Sequence, residues 1–419
     1  MKLAGNRRGR DLVIKNQQLI KETNLKNVFS LIYSSSGISR VNLVELTGLS
    51  PTTVSALVEE LLEYELICTM GVGESKTSGR KPIMLEVNRD CAQIATIAWQ
   101  KSGFSFSLLD LGCSEIEEFS VIVPSGAAFE DVIEEIITNR SQLIDTEKIL
   151  AICLSIPAII DSTNKKVITS VLDIDENDDI LSRINNKFPE LPVMIGNESA
   201  FYAYAEHEFS SLQDTRNLIY ININVGVGAG IIQNGEIYRG AHGMAGEFGH
   251  ISMDVNGPEC SCGNRGCLER LIKTPRIIEL VIDGIKNGKH SEVEALCIGD
   301  FSMIDIPMIA VAYNNGDELV TEILSDVARI LSFALNNIIS FYDPKTIVLG
   351  GGIERLGPAF LGEVRTQTKI AGFRKIVSSV DIIFTELSSF NYRNKGAAKY
   401  YLDNIFRISG NKKDELIIC

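Results

Sequence analysis

Apolar residues fall at changing intervals along this chain of 419 residues, and the changes mark its parts. Leu25, Val28, Phe29 and Ile32 recur at the i, i+3, i+4 and i+7 positions of one helical face. Ile38 to Thr47 reads as a short second helix, ended by Gly48-Leu49-Ser50. Ser50 can accept from the free N–H groups at the start of a third helix, and Pro51 suits its first turn. Val54, Leu57, Val58, Leu61 and Leu62 form the buried side of that helix. Two short apolar strands follow, Leu66 to Met70 and Ile83 to Val87, flanking the polar loop Gly71 to Pro82.

Beyond residue 92 the pattern changes to compact apolar runs separated by longer helical stretches. Ile149 to Ile156, Val193 to Ile195, Leu218 to Ile223, Thr346 to Leu349 and Asp381 to Phe384 read as buried strands. Phe129 to Asn139, Ser199 to Phe209 and Leu319 to Tyr342 read as helices between them. Sheets covered by helices are the economical way to bury both. Gly226, Gly228 and Gly230 after one strand, and Gly350-Gly351-Gly352 after another, predict turns whose amides can approach a polar ligand. Neither is a P-loop, because no Gly-Lys-Ser/Thr follows.

Length and hydrophobic content allow several real cores, since 419 residues suggest roughly three domains and 45% of the chain is hydrophobic. Charge divides it. Residues 1–90 hold 12 Lys and Arg against 10 Asp and Glu, a net +2, whereas the whole chain is −14, so the remainder carries −16. An acidic body repels nucleic acid, which leaves the head as the part able to touch it. Helix, glycine turn and second helix describe a helix-turn-helix, and the hairpin adds a wing. Operator DNA is therefore an expected partner. Candidate contacts are Arg40 on the second helix, Ser50, Pro51, Thr52, Thr53 and Ser55 at the start of the third, and Lys76, Arg80 and Lys81 on the wing. Arg7, Arg8, Arg10 and Lys15 form a basic N-terminal arm, readable as a DNA clamp or as a tail.

The densest chemistry lies between Glu247 and Glu269. His250, Cys260, Cys262 and Cys267 form a Cys3His set, and glycines among the thiols let one short loop aim them at a single point. A structural zinc is the expected cofactor. The N-terminus lacks the apolar core of a secretory signal, and no apolar run approaches the ~18 residues that span a bilayer. We expect a cytoplasmic protein without a membrane partner, in which clustered cysteines mean metal before disulfide.

These motifs resemble the ROK (repressor, open reading frame, kinase) family, in its repressor branch of xylose and N-acetylglucosamine repressors. The resemblance is carried by Leu49-Ser50-Pro-Thr-Thr-Val-Ser, by Gly79-Arg80-Lys81-Pro82, by Gly240-Ala-His-Gly-Met-Ala-Gly246-Glu247-Phe-Gly249-His250, and by the cysteine cluster. It implies an α/β fold of the actin-like, hexokinase-type, two-lobed kind preceded by a winged helix-turn-helix. The expected division is 1–88 for the head, 89–206 plus about 392–412 for a smaller lobe, and 207–391 for a larger lobe with the zinc motif. It also implies a monosaccharide or phosphosugar held by Asn197, Glu198, Glu247, His250 and Glu269, with Glu198 where family kinases carry aspartate.

The same resemblance exposes departures from the kinases. Their Asp-x-Gly-Gly-Thr phosphate loop corresponds to Ala95-Thr96-Ile97-Ala98-Trp99-Gln100-Lys101, which has no glycine pair and places a bulky Trp99 toward a nucleotide. Asn224-Val225-Gly226 replaces a Gly-Thr-Gly turn, and Ser155-Ile-Pro157-Ala158 a Pro-Gly turn. A phosphoryl-transfer site works almost entirely by positioning, so such changes are costly. The expectation is a non-catalytic sugar sensor and transcriptional repressor, a homodimer or dimer of dimers, in which sugar weakens operator binding. The alternative is an ATP-dependent sugar kinase with an appended head.

Overall fold

The computed structural model of the protein describes residues 6–72, 81–100, 103–123, 128–139, 143–161, 166–170, 180–371, 377–387 and 391–407. Helix α1 (Asn6–Tyr33) begins well before its apolar stripe, so the backbone of the basic arm continues the first helix rather than forming a separate tail. The expected helix from Ile38 starts later. Ile38 and Ser39 form strand β1 (Ile38–Ser39), pairing with Leu85 and Met84, because Ile38 is drawn into the core. Ser39 then caps α2 (Arg40–Thr47) by accepting from the Asn42 amide, and Gly48 ends it in the left-handed region at φ 68°. Helix α3 (Pro51–Glu63) is capped by Ser50, whose hydroxyl accepts from Thr53 N at 3.1 Å. Strands β2 (Ile67–Val72) and β3 (Ile83–Val87) complete an antiparallel sheet in the order β1-β3-β2. Val28, Ile32, Leu43, Val54, Val58 and Leu85 are fully buried beneath it. The wing tip with Lys76 and Arg80 lies outside the described residues.

The body contains two five-stranded sheets. In the first, β4 (Gln93–Gln100), β5 (Gly103–Asp110) and β6 (Glu115–Ile122) form an antiparallel meander. Helix α4 (Phe129–Asn139) leads to β7 (Ile149–Ile156), and the hairpin β8 (Ala158–Asp161) and β9 (Lys166–Ser170) precedes α5 (Ile180–Lys187) and β10 (Val193–Asn197). The order is β10-β7-β4-β5-β6, with β7 parallel to both neighbours. Helix α6 (Glu198–Phe209) then crosses to the second sheet.

That sheet opens with β11 (Leu218–Ile223), β12 (Val227–Gln233) and β13 (Glu236–Ile237). Five helices follow the loop beyond β13: α7 (Leu268–Ile272), α8 (Thr274–Lys286), α9 (Glu292–Leu296), α10 (Ile306–Asn314) and α11 (Glu318–Tyr342). Strand β14 (Thr346–Gly350), α12 (Pro358–Ala371), β15 (Asp381–Phe384) and α13 (Tyr392–Phe406) complete the regular structure of the described residues. The order β13-β12-β11-β14-β15 has β11, β14 and β15 parallel. Contrary to the expectation that no apolar segment is long enough to span a bilayer, α11 passes that test by length and composition. Its Leu324, Val327, Leu331 and Leu335 are buried in the larger core, which is how a core helix acquires such a composition.

Helices α6 and α13 occupy the space between the sheets. One core joins Ile94 and Ala151 of the first sheet to Leu218, Tyr220 and Val348 of the second through Phe201, Tyr202, Ala397 and Tyr400. Small residues make this possible: a Cβ on Gly396 would overlap the Phe201 carbonyl, and one on Gly230 would overlap that of Ser199.

Candidate metal centre and adjoining cleft

Between β13 and α7 the chain forms a loop closed on itself by the short bridges Ser252–Cys267 and Glu259–Arg265. Gly266 sits at φ 58° with its Cα against the Asp254 carbonyl, where any side chain would clash. The result brings the four expected ligands together. Cys260 Sγ lies 3.6 Å from His250 Nδ1, and Cys262 Sγ lies 3.6 Å from Cys267 Sγ. All four donor atoms fall within 4.8 Å of one another. A tetrahedral zinc with bonds of ~2.3 Å to sulfur and ~2.0 Å to nitrogen would set such edges at roughly 3.5–3.8 Å, so this donor set can bind a metal. Burial pushes the Cys267 thiol up, and its two neighbouring thiols push it further. Burial also acts on Cys260, but hydrogen bonds from Cys262, His250 and Cys267 outweigh it and draw that thiol down to about 7. Among the described residues the other cysteines stand apart as free thiols.

The loop's first arm forms a wall of a cleft. Gly246 and Gly249 press against the Ala229 and Val227 carbonyls of β12, and Ala229 N donates to Gly246 O at 2.8 Å. The segment is thereby laid on the sheet. Glu247 lines an open cleft together with Asn197, Ala200, Tyr238, Arg239 and Gly243. His250 presents Nδ1 to the thiols and places Nε2 at 3.9 Å from Glu247 Oε2. Burial raises the Glu247 carboxyl above the ordinary range; His250 opposes the shift and Glu269 adds to it. Glu269 opens α7 and accepts from Val227 N at 3.1 Å, in contact with Gly226.

Asn197 and Glu198 part company at the start of α6. Asn197 caps that helix, Oδ1 accepting from Ser199 N at 2.8 Å while Nδ2 donates to Ala158 O at 3.1 Å, and it still borders the cleft. Glu198 does not border it. Its two oxygens are taken by Arg393 Nη1 at 3.0 Å and Asn222 Nδ2 at 3.1 Å. The residues that sequence reasoning missed are therefore Arg239, Tyr238, Asn222 and Arg393. Only Arg239 carried a local signal, standing beside the glycine-rich motif; Arg393 is 195 residues from its partner.

Trp99, read as facing a nucleotide, and two of the glycines read as a ligand turn have packing roles instead. Trp99 stacks on Phe129 with ring centroids 3.7 Å apart and meets Phe104 edge-on at 5.7 Å, so the indole belongs to a three-ring cluster of the first lobe. Gly228 and Gly230 are strand residues that admit α6 closely, and only Gly226 remains in the β11–β12 turn. Gly351 and Gly352, at φ 88° and 126°, do form a turn after β14.

In the head, Ser50, Pro51 and Thr52 are exposed at the start of α3, whereas Thr53 and Ser55 are half-buried. The Ser50 hydroxyl lies 2.8 Å from both threonine hydroxyls. Arg40 is tied to Glu59 across α2 and α3 at 2.7 Å, and Lys81 is exposed where the wing returns.

Two five-stranded sheets with helices between them, and a Cys3His loop beside the cleft, define a two-lobed α/β fold with a candidate metal centre. A sequence profile of the ROK family matches residues 125–398, and the chain belongs to that family. It is 29% identical to the xylose repressor of Bacillus spizizenii over 392 residues, covering 89% of this chain and 94% of that one. It is 27% identical to the DNA-binding transcriptional dual regulator NagC of Escherichia coli, covering 89% and 91%. Among solved structures, a ROK family transcriptional regulator described as a homologue of E. coli MLC superposes with a TM-score of 0.78 at 24% identity, over 92% of this chain and 97% of that one. A ROK glucokinase from Streptomyces griseus, solved with glucose and AMPPNP, superposes with a TM-score of 0.64 at 22% identity, but over only 74% of this chain. The fold is thus shared with enzymes, while full-length likeness is with regulators.

Proposed function

We propose that this chain is a sugar-responsive transcriptional repressor whose head reads operator DNA and whose body holds a monosaccharide or its phosphate without phosphorylating it. The observation that carries the reading is the state of Glu198. A general base has to reach the proton it removes, and both oxygens of this carboxylate are occupied by Arg393 and Asn222. Relatives named as xylose and N-acetylglucosamine repressors support the same reading.

In this reading Glu247, His250 and Asn197 meet sugar hydroxyls, and Glu269 fixes the wall behind them. Carboxylates and amides suit a polyol because each accepts or exchanges paired hydroxyl hydrogen bonds. Zinc at His250, Cys260, Cys262 and Cys267 would brace the loop that carries Glu247 and hold the imidazole in one orientation. Residues 1–88 act as the reader, with Thr52 and its neighbours in a major groove and Lys81 near phosphate. The two lobes, 89–206 with about 392–412 and 207–391, act as the sensor. Two copies related by a two-fold axis would meet half-sites about one helical turn apart.

A thermal-shift screen of monosaccharides and their phosphates tests the sensor, because a ligand bound only to the native state raises the melting point by mass action. Xylose and N-acetylglucosamine, with their phosphates, come first. Thr52→Ala should weaken specific operator binding by about 1–3 kcal/mol, as for a lost base contact, with the sugar response intact. A coupled ADP-release assay decides against the kinase: turnover near or above ~1 per second with any of these sugars would overturn the proposal.

A further inference from the structure

Helices α6 and α13 run side by side in the same direction. Glu198 meets Arg393 at one end, Phe201 meets Gly396 in the middle, and Glu208 meets Arg407 at 2.9 Å at the other. Twelve residues of α6 make this pair a strut about 18 Å long. Its first end adjoins the cleft, since Asn197 and Ala200 line it. Its second end holds the head.

There Asp403, 5% exposed, is surrounded. Its Oδ1 accepts from Lys399 Nζ at 2.6 Å and from the Tyr33 hydroxyl at 3.1 Å, and its Oδ2 accepts from the Tyr204 hydroxyl at 2.6 Å. Arg407 Nε lies 3.2 Å from the same carboxylate, and Lys399 Nζ lies 3.5 Å from Glu208 Oε2. Two carboxylates face two cations, so the cluster is neutral. Tyr33 is the last residue of α1, the helix on which the head is built, and its ring sits 4.8 Å beneath the Lys399 ammonium. Phe406 seals the contact, 4.9 Å from Phe29 and 5.3 Å from Tyr33 between ring centroids.

Apolar packing alone would hold two domains together more cheaply than a charged cluster built on the buried Asp403, with Lys399 and Glu208 mostly covered and Arg407 at the solvent edge, because desolvating the inner charges offsets much of their attraction. What such a set supplies is one defined geometry, because each hydrogen bond fails if either helix shifts. We propose that the Asp403 cluster is the joint through which the state of the cleft reaches the DNA-reading head, with the α6–α13 pair as the strut and Tyr33 as the head's contribution. The proposal rests on the sugar-sensor reading above for the nature of the signal. The joint itself follows from the contacts alone.

Hydrogen–deuterium exchange on the full-length protein tests it, using the amides of residues 28–33 as the reporter of the head and those of 197–203 as the reporter of the cleft. Tyr33→Phe keeps the ring packing and removes one hydroxyl. In wild type, a sugar that protects 197–203, with xylose and N-acetylglucosamine as the probes, should change exchange at 28–33 by about fivefold or more, the lower range of typical coupling. In Tyr33→Phe the cleft should still respond while the head no longer does. An unchanged head response in Tyr33→Phe and in Asp403→Asn overturns the joint. So does a wild-type head that ignores a protected cleft. Should neither sugar protect the cleft, the choice of ligand fails, and the joint is decided by Glu198→Gln without ligand: faster exchange at 28–33 that Tyr33→Phe abolishes supports it, and wild-type exchange there refutes it.

Discussion

The metal loop and the α6–α13 seam are both polar constellations inside the same body, and they are built in opposite ways. The loop draws its four donor groups from residues 250 to 267, a contiguous stretch whose glycines fold it back on itself. The seam draws Glu198, Arg393, Asp403, Tyr204 and Tyr33 from three helices separated by as many as 370 residues. A local site can form as soon as its own ligand is present. A non-local one exists only when the lobes and the head are already docked, so it reports on their arrangement. The lesson is that a brace belongs in the first kind of site and a signal in the second.

The sharpest break is at the loop. Replacing Cys267, fully buried among the donor atoms, with serine should abolish stoichiometric metal, and a structural zinc is worth on the order of 10 kcal/mol of apparent binding free energy. Elemental analysis with calorimetry should show loss of metal together with a lower, broadened melting transition and a disordered cleft wall at Glu247. Retention of one zinc per chain in the variant would remove the cysteine set from the picture.

The seam should yield less, and without metal. Arg393→Met leaves the half-buried Glu198 beside Asn222 with no cation, the Arg393 and Glu198 side chains being 6% and 21% exposed. Breaking one half of such a pair costs about 3–5 kcal/mol, which urea unfolding would measure. The intact guanidinium already has Nε and Nη2 without partners among the described residues, so a loss below ~1 kcal/mol would mean that the pair barely offsets its own desolvation.

A third probe uses protons. Glu206, on the same helix and 1% exposed, is pushed up by burial to about 7, with hydrogen bonds to Thr385 and Ser210 opposing the shift. The folded state therefore holds a proton that the unfolded state gives up near the ordinary glutamate value of 4.5. Stability is greatest below that value and falls as pH rises toward 7, by on the order of 3 kcal/mol at about 1.4 kcal/mol per pKa unit. Glu206→Gln should flatten that slope in denaturation curves taken between pH 4.5 and 7.5. An identical slope in the variant would assign the dependence to other groups.

How much of this was legible beforehand follows the same division. Strands β7, β11 and β15 and helix α4 coincide with the ranges read from apolar spacing, because each is a local pattern with its own period. The β4–β5–β6 meander was not read from apolar spacing. Strand β5 carries the period-two run Phe104-Ser105-Phe106-Ser107, and all eight of its residues are buried, the serines included. Trp99 looked like an obstacle in the cleft because spacing does not say which face of β4 a residue takes; pairing fixed it against Phe129. Glycines 228 and 230 looked like a ligand turn, whereas the close approach of α6 is what requires them.

Sequence by itself determined the candidate donor set of the cysteine loop, the capping and turn chemistry of the head, and the division between a near-neutral head and an acidic body. All of these depend on residue types a few positions apart. Only the tertiary structure decided that Glu198 is held by Arg393, and that a phenol at the end of α1 meets a carboxylate near the C-terminus. Those pairings are set by how two helices pack between two sheets, and no short-range pattern in the chain encodes where its distant ends will meet.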